Sequence, residues 1–154
     1  IKNVAPEIIQ RAFLFTFVRN PWDRLVSFYF YRRWRYENKI IAQSPEREKM
    51  YSSFSNWMRV RVENRELAPT YLRPQAHWIF DKNDNLLVDF VGRFEQLSQD
   101  FQSICTILGL PEASLLHVNK SRRPANYREF YTSELKQLVE KAYARDIELL
   151  KYSF

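Results

Sequence analysis

Arg19 ends an apolar run, "RAFLFTFV", and is followed at once by Asn20, Pro21 and Asp23. A guanidinium can fork onto two oxygens of a phosphate, and a capped helix start offers backbone amides and the positive end of the helix dipole. Together they predict an anion seat at the exit of a strand, although the same spacing also allows Arg19 simply to pair with Asp23. The two histidines, His77 and His117, are the next candidates. His77 stands close to Arg73 and Gln75, so it can be a substrate contact, a proton acceptor, or a hydrogen-bonded ring packed by Trp78. His117, between Leu116 and Val118, reads as structural. Lys120, Ser121, Arg122 and Arg123 form a basic run that either closes over phosphates or is a solvated loop. Arg59 and Arg61 alternate with Val60 and Val62 and read most simply as an exposed helix face. No Cys and His cluster with zinc spacing and no Asp-rich calcium loop is present, so no metal is expected.

These residues need elements to hold them. The run Arg11 to Val18 has the aromatic and β-branched content of a strand buried on both faces. Asn20, Pro21 and Asp23 supply an N-cap, a first-turn proline and a first-turn acid, and Trp22, Leu25, Val26 and Tyr29 follow at helical spacing to about Tyr36. Glu37 to Glu48 reads as a charged loop or frayed helix, and Tyr51 to Glu63 as an amphipathic helix. The two prolines of "LAPTYLRPQAHWIFD" predict an ordered crossing segment. Leu86 to Val91 reads as a second core strand, with Gly92 allowing a bulge or a close backbone approach. A helix follows with Leu97, Phe101, Ile104, Cys105 and Leu108 on its buried face, stopped by Gly109 and Pro111. After the polar loop at "HVNKSRRPANYREFY", Thr132 or Ser133 caps a final helix carrying Leu135, Leu138, Val139, Ala142, Tyr143 and Ile147. Strands alternating with helices give an α/β layered domain.

Bulk properties bound the function. A chain of 154 residues suits one domain and one core. The formal net charge of +6 favours an anionic partner without choosing among nucleic acid, nucleotide, acidic glycan or membrane surface. Nucleic acid is disfavoured, because most aromatics fall at core-facing positions and no nucleic-acid motif is present. Cys105 lies among apolar residues as a core thiol, and a single cysteine excludes an intrachain disulfide, which fits a reducing compartment. No stretch is apolar for long enough to span a bilayer.

The segment "FVRNPWDRLVSFY" resembles the 3′-phosphate-binding motif of sulfotransferases that use 3′-phosphoadenosine 5′-phosphosulfate (PAPS). The likeness is to the carbohydrate-type group, which includes heparan and chondroitin sulfotransferases and bacterial relatives. It continues in order through "YLRPQAHW", "VDFVGRFEQLSQDF", "HVNKSRRPANY" and the closing helix, nearly the whole chain. It implies a three-layer α/β fold of P-loop-NTPase type with a parallel sheet, as one sulfotransferase-like domain over residues 1–154. It also implies that Arg19 and Ser27 hold the 3′-phosphate, that Lys120, Ser121 and Arg122 close over the nucleotide with Tyr127 nearby, and that Arg73, Gln75 and His77 line the acceptor side. His77 is then the candidate base. Ser27 lies about 10 Å along the helix from its cap, so the nucleotide would run along the helix flank.

The family opens with a strand, a Lys/Thr/Ser loop that grips the 5′-phosphosulfate, and a helix. Nothing before Arg11 has that form, a Walker A pattern is absent, and "IKNVAPEIIQ" resembles the connector that comes next. The chain is therefore expected to be the C-terminal part of the full domain, with the catalytic lysine and the main base upstream. The expected activity is sulfuryl transfer from PAPS to a hydroxyl of a carbohydrate or similar acceptor, releasing 3′,5′-ADP (PAP), with no metal. The alternative is a non-catalytic relative that binds a nucleotide or an acidic glycan. A bacterial cytoplasmic location is expected, or the Golgi lumen if an N-terminal anchor has been removed.

Overall fold

In the computed structural model, which describes residues 11–63, 70–116 and 123–154, the elements run β1 (Phe15–Val18), α1 (Pro21–Glu37), α2 (Pro45–Tyr51), α3 (Phe54–Met58), α4 (Ala76–Ile79), β2 (Phe90–Arg93), α5 (Leu97–Ile107), α6 (Ser133–Ala142) and α7 (Ala144–Leu150). Short π or 3-10 turns occupy Arg59–Glu63, Thr70–Leu72, Phe94–Gln96 and Tyr127–Phe130. The architecture is α/β, as expected, and its sheet is parallel: Phe15 lies opposite Phe90, and Val18 opposite Arg93. Two compact units are formed, Ile1–Arg19 with Trp78–Leu116, and Asn20–His77 with His117–Phe154.

In the first unit, β1 is shorter than the apolar run suggested and less enclosed, for Phe15 is 44% exposed and only Val18 is buried. The ladder is entered through Leu14, whose N–H donates to Asp89 Oδ2 at 2.7 Å and whose carbonyl accepts from the Asp89 N–H at 2.7 Å. That junction places the second strand at Phe90–Arg93, not Leu86–Val91. Leu86 makes only an isolated bridge to Phe80, and Leu86 and Leu87 are exposed. Gly92 is not a bulge: it sits across from Phe17, and a Cβ there would overlap the Phe17 ring. α5 buries Ile104 and Cys105, but Leu108 stays exposed, because the helix turns off at Gly109 with φ +64°. The Leu110 N–H then reaches back to the Cys105 carbonyl at 2.8 Å, satisfying a helix-end acceptor.

The second unit holds the main core. Trp22, Leu25, Val26 and Tyr29 repeat at helical spacing on α1 and are all buried. Fully burying side chains such as Leu25 and Val26 stabilises by about 1.5–3 kcal/mol each. Around them gather Met50, Tyr51, Phe54, Trp57, Met58, Leu135 and Val139. Tyr29 meets Phe54 edge-on at 5.5 Å between ring centres, and Phe54 stacks on Trp57 at 6.1 Å.

Between Glu37 and Glu63 the chain departs from the expected loop or frayed helix followed by one amphipathic helix. Ser44 and Pro45 start α2, and extended Ser53 (φ −149°) starts α3 by accepting the Asn56 N–H at 3.1 Å. Two serine caps thus cut the region into short helices. The closing helix is also divided. Thr132 caps α6 through the Leu135 N–H at 3.3 Å, and Tyr143 (φ −121°, ψ 27°) separates α6 from α7.

Candidate functional site

The start of α1 is built by Asn20, a nearly buried residue. Its Oδ1 accepts the Trp22 N–H at 3.0 Å and the Asp23 N–H at 3.3 Å, while its carbonyl accepts the Arg24 N–H at 2.8 Å. Pro21 has no N–H to give. The amides of Trp22 and Asp23 are thus bonded to the cap side chain, and that of Arg24 begins the regular helix ladder. The other end of the Asn20 amide donates to the Ser153 carbonyl at 2.8 Å and to Tyr127 Oη at 3.4 Å. Tyr127, singled out from the late loop, is thus joined directly to the Arg-Asn-Pro motif.

Asp23 and Arg123 form the second link. Arg123 Nη2 donates to Asp23 Oδ1 at 2.5 Å between largely buried side chains, so this carboxylate oxygen is engaged by Arg123. Arg19 lies with its guanidinium 4.2 Å from the centre of the Phe94 ring. Arg123 Nη1 is buried and has no hydrogen-bond acceptor among the described residues. Ser27 is half-buried on α1. Lys120, Ser121 and Arg122 lie outside the described residues, as does His117. Nearby, Tyr131 donates to the Trp22 carbonyl at 2.9 Å, and burial pushes its hydroxyl pKa well above the ordinary phenol value.

The acceptor-side segment is shaped by groups that bind its main chain. Arg24 donates to the carbonyls of Tyr71 (2.7 Å) and Arg73 (3.1 Å). Tyr143 Oη donates to the Leu72 carbonyl at 2.6 Å. Asp146, wholly buried, takes the Gln75 N–H on Oδ2 at 2.8 Å and the Ala76 N–H on Oδ1 at 2.7 Å. Gln75 Nε2 also approaches Oδ2 at 3.4 Å. Burial raises the Asp146 pKa from the usual carboxylate range, while the Ala76 and Gln75 bonds and the Arg24 charge oppose the rise.

Held this way, the segment leaves Arg73 and His77 exposed, with Arg73 Nη1 3.3 Å from His77 Nε2. Arginine can only donate, so in a hydrogen bond between them the ring nitrogen is the acceptor. The structure thus brings Arg73, Gln75 and His77 together on one short segment. Asp146, Arg24 and Tyr143 were not read from the sequence as site residues. One signal was available for Asp146: it shares the helical spacing of Val139, Ala142, Tyr143 and Leu150, all buried, so a lone carboxylate had to be inside and needed donors.

Among the described residues, no group of three or more His, Cys, Asp or Glu is arranged to hold a metal ion, and no helix is long and apolar enough to cross a membrane. No solved structure matches the chain. Among curated proteins, an Archaeoglobus fulgidus protein described as uncharacterized is 29% identical over 130 residues, covering 84% of this chain and 94% of its own length. The model of the sulfotransferase family matches residues 2–153. With that match spanning both links at the start of α1 and the clamped acceptor-side segment, the chain belongs to the sulfotransferase family.

Proposed function

We propose that the chain binds PAPS and takes part in sulfuryl transfer to a hydroxyl of a carbohydrate or similar acceptor. In this reading Arg19 and Ser27 hold the 3′-phosphate, and Lys120, Ser121 and Arg122 close over the nucleotide with Tyr127. Arg73, Gln75 and His77 face the acceptor. The donor supplies the sulfuryl group. The chain's residues orient the acceptor oxygen toward sulfur, and His77 is the candidate base on this segment for the hydroxyl proton. With a single cysteine, these residues cannot form a disulfide among themselves, which suits a reducing, cytoplasmic setting.

The observation that carries the reading is the Asp23–Arg123 pair, which ties the last residue of the basic run to the first turn of α1. Arg123 held on the helix that bears Ser27 supports a nucleotide bound from both segments. Calorimetric titration with 3′,5′-ADP and with 5′-AMP tests it. Binding that depends on the 3′-phosphate, and that falls roughly 10- to 150-fold in Arg19→Ala, is expected from the loss of a charged hydrogen bond. Equal affinity for both nucleotides, or no effect of Arg19→Ala, refutes the assignment. Binding without transfer to any polysaccharide hydroxyl would favour the non-catalytic reading.

A further inference from the structure

We propose that Asp146 is a positioning residue for the acceptor side, acting through the main chain of Gln75 and Ala76 to hold Arg73 and His77 beside one another. This rests on the reading of that segment as the acceptor side of a sulfotransferase. Four facts support it. The carboxylate is wholly buried, so its placement has a cost that its bonds must offset. Each of its oxygens takes a separate, consecutive amide, at 2.8 and 2.7 Å. Those amides open α4, where Pro74 contributes no N–H, so Asp146 does the work of an N-cap from 70 residues away in the chain. Finally, the backbone it fixes lies between the two side chains whose terminal nitrogens meet at 3.3 Å.

A residue that only filled the core would not need both oxygens committed to one turn. Tyr143, one helical turn before Asp146, binds the Leu72 carbonyl, so the α6–α7 junction grips the segment from both its donor and acceptor groups.

The test uses the chain labelled with 15N and 13C and followed by NMR. In Asp146→Asn the side chain keeps one acceptor oxygen but turns an NH2 toward the other amide, so one of the two bonds is lost. Amide exchange at Gln75 and Ala76 is expected to rise roughly tenfold or more. The His77 ring chemical shifts are expected to move as they do in Arg73→Ala, with no further change in the double variant. A general loss of stability would not single out this coupling. Unchanged His77 ring shifts together with unchanged Gln75 and Ala76 exchange overturn the proposal. Should Asp146→Asn fail to fold, acidification of the unaltered protein serves instead: the Gln75 and Ala76 amide shifts must move together with the Asp146 carboxyl carbon, and independent movement overturns it. Titration with 3′,5′-ADP on the same samples separates the two readings. Failure to bind in the unaltered protein strikes the sulfotransferase assignment alone, while the Asp146 result stands on its own spectra.

Discussion

Asp23 and Arg123, 100 positions apart in sequence, meet at 2.5 Å at the first turn of α1. The pair binds a late loop to an early helix, and the acid also complements the helix dipole. Asp23→Ala would leave the Arg123 charge largely buried with its main partner gone. The expected loss is about 2–3 kcal/mol, just below the range for fully buried pairs. Urea unfolding of Asp23→Ala, Arg123→Met and the double variant measures it; the double variant should recover part of the loss.

Asn20 satisfies two helix amides and one carbonyl of the C-terminal residues. Asn20→Ala is expected to cost about 1–2 kcal/mol. Asn20→Asp keeps the cap but sets an acceptor against the Ser153 carbonyl, so it should regain only part of that stability in the same unfolding experiment.

Asp146 makes stability depend on pH in a definite direction. Burial raises its native pKa, so the folded chain holds this proton more tightly than the unfolded chain does. Its contribution is full below the unfolded carboxylate value of about 4 and declines as pH rises through the raised native value. Relative to Asp146→Asn, which cannot ionise, the unaltered protein should lose stability across that window. Melting temperatures of the two proteins, compared from pH 3.5 upward (a range set by the value of about 4), read the difference.

Gly92 faces the Phe17 ring across the β1–β2 ladder. Gly92→Ala is expected to destabilise by about 1–3 kcal/mol through overpacking. Phe17→Leu in the same chain should relieve most of it, a coupling that a thermal-unfolding double-mutant cycle detects.

Local chemistry made much of this legible in advance. The α1 start was readable because Asn20, Pro21 and Asp23 each act within one turn, and the apolar face from Trp22 to Tyr29 lies where periodicity puts it. The second strand was misplaced because Leu86 to Val91 is apolar apart from Asp89, and its local pattern carries no register. Register came instead from Leu14 and Asp89, whose pairing spans 75 positions. The closing helix was read as continuous because nothing near Tyr143 forbids helix; its break goes with a hydroxyl bonded to Leu72, 71 positions away. In the same way, the candidate residues Arg73, Gln75 and His77 were visible as types, but the groups that fix them bind main-chain atoms and leave no motif.

The clamp on residues 71–76 separates shape from identity. Arg24, Tyr143 and Asp146 grip carbonyls and amides of this segment, groups that nearly every residue type possesses. Exchanging the side chains at 73 and 77 therefore leaves those bonds in place. The segment behaves as a fixed mount with replaceable tips, on which new preferences for a partner molecule can arise by single substitutions while the fold stays as it is.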